Sequence, residues 1–188
     1  LDGYSRLEAF WRVTLPLPST FSPPKGAVSS CPDPYFGLTL VVDPKNSSNL
    51  SLICFGVYYS DDGGETWKLT IEDKKTEALP VSFTAVKDVL YARDIDTLFV
   101  SKDFGKTWTK KKSTISLFQL TGGSDGSLFA SDSDHQLYKS KDQGSNWQRI
   151  NTSLSLDKYG TITALEVHDT SKTLFVGTGK GMIRIPIE

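Results

Sequence analysis

Along residues 37–187, short apolar runs rich in Val, Ile, Leu, Phe and Tyr are cut by turns of Gly, Asp, Ser and Lys. Within many runs polar and apolar positions alternate. A period of two with β-branched and aromatic content predicts strands, and no stretch carries the 3.6-residue period of an amphipathic helix. The runs fall into groups of four. GLTLVVD (37–43), LSLICF (50–55), GVYYS (56–60) and TWKLTI (66–71) form the first group. VSFTAV (81–86), VLYAR (89–93), TLFVS (97–101) and TWTKK (107–111) form the second, and SLFQL (116–120), SLFAS (127–131), QLYKS (136–140) and NWQRI (146–150) the third. After Asn151 the pattern resumes with ITALEVH, TLFVGT and GMIRIPI, three strands without a fourth.

One motif closes each complete group: SDDGGETW (60–67), SKDFGKTW (101–108) and SKDQGSNW (140–147) share the frame S-x-D-x-G-x-(T/N)-W. The tryptophans are 41 and 39 residues apart, the length of one four-stranded propeller blade. Chemically the frame is a hairpin turn that caps itself. The carboxylates of Asp62, Asp103 and Asp142 accept backbone N–H groups of the turn, with the hydroxyls of Ser60, Ser101 and Ser140 holding them. Gly64, Gly105 and Gly144 supply a positive φ, and Trp67, Trp108 and Trp147 open the next strand with a large apolar face to wedge between sheets. These residues are read as structural, not catalytic.

The missing strand is sought at the other end of the chain. Phe10–Leu15 (FWRVTL) reads as an outer strand, with Trp11 in the place of the repeat tryptophans. Pairing it with the strand around Met182–Ile187 closes the ring and removes two open sheet edges. The expected fold is all-β: one domain over 1–188, a small β-propeller of four-stranded antiparallel blades. Four blades are counted, at 37–72, 81–112, 115–151 and 161–188, closed by the strand at 10–15. Six prolines in 16–36 make that segment a long loop.

The frame resembles the Asp-box, or BNR repeat, of sialidases, sortilin-type receptors, xyloglucanases and photosystem II assembly-factor-like proteins, over about residues 38–188. The resemblance implies boxes on the turns between the third and fourth strands of each blade, on the face away from the usual ligand site. It also calls for a test of the enzyme reading. Sialidases resemble one another in an R-I-P motif ahead of the boxes and in three arginines that grip a carboxylate. Here Arg184-Ile185-Pro186 lies after the boxes, and the chain holds five arginines: Arg6, Arg12, Arg93, Arg149 and Arg184. With Arg12 in the closing strand and Arg149 just after a box, a three-arginine clamp is hard to assemble.

Charge and composition narrow the partners. Twenty-one basic and 22 acidic side chains give a formal net charge of −1, so no global field draws nucleic acid, and no apolar run is long enough to span a bilayer. His135 and His168 lie in different repeats without ligand-spaced partners, so no metal or cofactor is expected. Cys31 and Cys54 are equally compatible with a disulfide and with two thiols. Three of four asparagines, Asn46, Asn49 and Asn151, open N-x-S/T triplets, which leans toward an extracellular or extracytoplasmic setting, as does the family resemblance. Leu1 in place of an initiator Met fits a removed leader and a piece of a longer chain equally.

Function is then expected on the face opposite the boxes, built by the second-to-third strand turns and the blade connections. Its segments, 72–80, 93–96, 110–114, 131–136 and 154–160, mix both charges with few aromatics. That composition suits a protein contact, and Lys74, Lys75, Lys110, Lys111, Lys112, Asp132, Asp134 and Tyr159 are the candidate contact residues. The expected function is a monomeric, non-catalytic protein-binding or assembly module; a carbohydrate-binding module is the alternative, and a glycosidase the third reading.

Overall fold

A computed structural model describes residues 39–53, 56–72, 81–150 and 160–187. The strand and loop expected at 10–15 and 16–36, both cysteines, Lys74, Lys75, Asn151 and Tyr159 lie outside the described residues. Every regular element among those residues is a strand. None of them forms a helix long and apolar enough to cross a membrane.

The first sheet contains β1 (Thr39–Asp43), β2 (Asn46–Ile53), β3 (Gly56–Ser60) and β4 (Lys68–Glu72). The second contains β5 (Ser82–Val86), β6 (Val89–Arg93), β7 (Thr97–Ser101) and β8 (Thr109–Lys112), and the third β9 (Gln119–Gly122), β10 (Leu128–Ser131), β11 (Leu137–Ser140) and β12 (Gln148–Ile150). The fourth has β13 (Ile162–His168), β14 (Thr173–Thr178) and β15 (Gly181–Pro186). Each sheet is an antiparallel meander in chain order. The first strands pack on one another, β1 on β5, β5 on β9 and β9 on β13, so the sheets stand as successive blades of a β-propeller. Among the described residues β15 hydrogen-bonds only to β14.

Three cores fill the spaces between sheets. Ile53, Val57 and Ile71 of the first sheet meet Ala92 and Phe99 of the second. Tyr91, Leu98 and Val100 on the other face of the second sheet meet Leu128 and Ala130 of the third, and Phe129 and Leu137 meet Ile162, Leu165, Val167, Leu174 and Val176 of the fourth. Adjacent residues such as Leu98 and Phe99 thus point into different cores. That two-sided burial is why the middle strands read as continuous apolar runs instead of a clean alternation.

The fourth strands begin at Lys68, Thr109 and Gln148, one residue after each repeat tryptophan and not with it, and two strand starts shift by three residues or more. The polar run Asn46–Asn49 is part of β2, because Asp43 pairs with Asn46 across a tight turn while Val42 pairs with Leu50, leaving a bulge between. Asn49 is committed inside it: its Nδ2 donates to Asp43 and its Oδ1 accepts the Tyr59 hydroxyl at 2.7 Å. The third sheet begins at Gln119, not Ser116. Leu117 and Phe118 instead donate their N–H groups to Ile95 and Ser131 carbonyls, at 2.6 and 2.7 Å, and so lie across the ends of two sheets.

Candidate functional site

Because neighbouring strands run in opposite directions, the turns of the repeated motif share one end of the sheets with the first-to-second strand turns. The second-to-third strand turns and the sheet connections occupy the other end. The two ends differ in chemistry.

At the motif end the groups are satisfied from within. In the second sheet the Ser101 hydroxyl and the Thr107 N–H donate to Asp103 Oδ1 at 2.8 and 2.9 Å, the Thr107 hydroxyl donates to Oδ2 at 2.6 Å, and the Gly105 N–H donates to Ser101 Oγ at 2.7 Å. The same network recurs at Ser60–Asp62–Gly64–Thr66 and at Ser140–Asp142–Gly144–Asn146. The Thr66 hydroxyl and N–H hold the Asp62 carboxyl down to about 2, and the Asn146 N–H and side-chain amide do the same for Asp142. At Asp103 burial pulls upward, but the Thr107 and Ser101 donors prevail and the value is lowered. The glycines take φ of 94°, 99° and 78° as the motif requires; the residue before each, Gly63, Phe104 or Gln143, also has positive φ.

These turns also brace neighbouring sheets. Ser51 of β2 donates to the Phe104 carbonyl at 2.8 Å, and the Trp108 indole N–H reaches Thr70 Oγ1 of β4 and the Gly105 carbonyl at 3.2 and 3.1 Å. A cleft of about 330 Å³ opens between the first and second sheets here, and three of its four lysines are engaged. Lys45 pairs with Asp88, Lys87 donates to the Asp125 carbonyl at 2.9 Å, and Lys106 lies over the Tyr59 ring.

The connection end is different. Of the large apolar side chains exposed on the described surface, Val81, Ile95, Phe118 and Met182 stand here, 45 to 65% exposed. Arg93 ends β6 among them, half-buried, with Nη1 donating to the Leu117 carbonyl at 2.9 Å. Asp132 is buried in its own turn, accepting the Gln136 N–H and the Tyr138 hydroxyl, each at 2.8 Å. Asp134 is exposed at the tip of that turn, beside His135, whose ring stands edge-on to Phe118 and accepts the Ile162 N–H.

Of the predicted contact residues, the lysines of β8 go different ways. Lys110 lies over the Phe99 ring on the sheet, and Lys111 reaches toward the motif end of the third sheet, donating to the Gln143 carbonyl and the Ser145 hydroxyl at 3.2 and 3.1 Å. Lys112 is exposed near the connection end. The structure therefore gathers Asp134 and Lys112 at the expected face and commits Asp132 and Lys111 to neighbours. Val81, Arg93, Ile95, Phe118 and Met182 were not singled out by sequence. Arg93 and Ile95 fell within the 93–96 turn, whereas Val81, Phe118 and Met182 were read as strand residues and carried no such signal.

Residues 56–182 match the family model of the DUF6242 beta propeller domain. The chain belongs to this family. No curated protein matches it. Among solved structures this DUF6242 member is similar to YCF48 from Cyanidioschyzon merolae, at 14% identity and a TM-score of 0.52, over 80% of this chain and 56% of that one. It is similar to YCF48 bound to D1 peptide, at 14% identity and a TM-score of 0.57, over 78% and 49%. It is also similar to the GH74 xyloglucanase from Xanthomonas campestris, at 15% identity and a TM-score of 0.52, over 79% and 24%. These likenesses show the fold. The chain spans about half the length of the YCF48 structures and a quarter of the xyloglucanase.

Proposed function

We propose that this chain is a non-catalytic binding or assembly module that presents the connection end of its propeller sheets to a polypeptide partner, and that its repeated turns are structural Asp-boxes. The observation that carries the reading is the contrast between the two ends. At the motif end each repeat carboxylate is consumed by its own turn, whereas at the connection end Val81, Ile95 and Phe118 are exposed close to one another, with Met182 exposed at the same end of the fourth sheet. Leu40, Val42 and Leu69 of the first sheet are exposed as well, but Val81, Ile95 and Phe118 are tied to one another through the Val81–Arg93 and Leu117–Ile95 backbone bonds, and apolar side chains held close in this way suit a contact face. The likeness to a structure of YCF48 bound to a peptide supports the reading.

The test is site-specific photo-crosslinking in extracts of the source organism, with the reactive amino acid replacing Ile95 or Phe118 at one end and Gln143 at the other. One protein crosslinked from the first two positions and not from the third is the expected result, with loss of the Ile95 product when Phe118 is also changed to Ser. Crosslinks confined to Gln143, or binding to xyloglucan oligosaccharides in place of protein, would overturn it.

A further inference from the structure

Arg93 is short of partners. Its carbonyl accepts the Val81 N–H at 2.7 Å and its Nη1 donates to the Leu117 carbonyl, but Nε is buried without an acceptor. Among the described residues no carboxylate comes within salt-bridge distance of it, and neighbouring Asp94 acts only through space. A guanidinium has five donors in a planar fork and no way to shed its charge. Desolvated without a counter-ion it is costly, and burial already pushes its pKa below the usual arginine value.

The surroundings say which anion fits. Val81 adjoins Arg93 through its N–H, Ile95 follows two residues on, and Phe118 is carried by the segment whose Leu117 N–H donates to the Ile95 carbonyl. All three are exposed. An arginine whose backbone neighbours carry exposed apolar side chains has the makeup of an interface hot spot. The nearby acids Asp94 and Asp96 repel polyanions such as a nucleic-acid backbone, while a single carboxylate can pair with the outer Nη groups of the guanidinium, the buried Nε being shut off from a partner.

Resting on the binding-module reading above, we propose that Arg93 receives a carboxylate of the partner polypeptide, from an acidic side chain or a chain terminus, and that Val81, Ile95 and Phe118 pack on the apolar residues beside it.

The test follows the Arg93 Nε–H resonance by NMR, assigned with Arg93→Lys protein, while three peptides are added to the full chain. They are acetyl-Leu-Phe-Glu-Leu-Val amide, acetyl-Leu-Phe-Gln-Leu-Val with a free carboxyl terminus, and the same glutamine peptide amidated. The expected result is a saturable shift with the first or second peptide, which tells side chain from terminus, and none with the third. Arg93→Gln should weaken that binding by at least about tenfold, and Arg93→Lys by less. Equal binding of the neutral peptide, or no shift with any, overturns the proposal. So does movement of the signal when Asp73 and Glu77 are both neutralised without peptide, since the carboxylate would then be the chain's own. If crosslinks at Ile95 and Phe118 stand while Arg93→Gln protein binds unchanged, the contact face survives and the carboxylate subsite falls.

Discussion

Replacing Asp103 by Ala strips one acceptor from the Ser101 hydroxyl and from the Thr107 N–H and hydroxyl at once. Unpaired donors cost more than the hydrogen bonds themselves contributed, so Asp103→Ala should lower stability by about 1–3 kcal/mol in urea denaturation. The pH dependence has a definite sign. Asp62 and Asp142 titrate near 2 when folded, below the ordinary carboxylate value of about 4 when unfolded, so their contribution is complete above pH 4 and is lost as pH falls toward 2. The thermal midpoint should drop across that window, and the Asp62→Asn, Asp142→Asn double variant should flatten the drop. Glycine at 105 is required twice: φ is 99°, and a Cβ would stand 2.0 Å from Ser51 Oγ. Gly105→Ala should cost about 3 kcal/mol by backbone strain and overpacking, whereas Gly63→Asn, with open space and with Phe104 and Gln143 already at positive φ in the matching places, should cost far less. These roles were legible in the sequence because each capping bond spans four residues or fewer. Arg93 was not, because the Leu117 carbonyl that engages it is 24 residues away.

Strands repeat the same lesson with a longer reach. The fourth strand of one sheet receives the tryptophan of the next: Trp108 donates to Thr70, three residues after Trp67. The matching position after Trp108 is Lys111, which turns to Gln143 and Ser145, and the Trp147 indole N–H is buried with no partner among the described residues. Lys111→Thr should therefore restore an acceptor and raise stability by about 1 kcal/mol, since the exposed lysine bonds it sacrifices are screened by water. Slower exchange of the Trp147 indole proton in NMR would accompany the gain; unchanged exchange would show that the threonine does not reach it. Most strand positions follow from composition and spacing. The start of β9 did not, because the N–H groups of Leu117 and Phe118 find carbonyls in the β6–β7 turn and at the end of β10 before the local apolar run can pair.

At the scale of the molecule, each pair of adjacent sheets shares a core, so damage on one side of an interface is felt on the other. Leu98 is fully buried, clusters with Leu128 and Ala130, and stands where Gly144 leaves room for it. Leu98→Ala should cost about 2–5 kcal/mol and reduce hydrogen-exchange protection in β10 and β11 as well as β7. Lys87→Ala, which removes an exposed bond to the Asp125 carbonyl in the next sheet, should change stability by less than about 1 kcal/mol. The 41- and 39-residue spacing of the tryptophans was enough to establish a repeated four-stranded unit and the chemistry of its turns, because hydrogen bonding within a hairpin depends on residues a few places apart. Packing fixed the rest: which of two adjacent apolar residues enters which core, which lysine leaves the expected face, and which arginine reaches a carbonyl 24 residues away. Those outcomes depend on side chains brought together from separate sheets, and no local pattern along the chain encodes the distance between them.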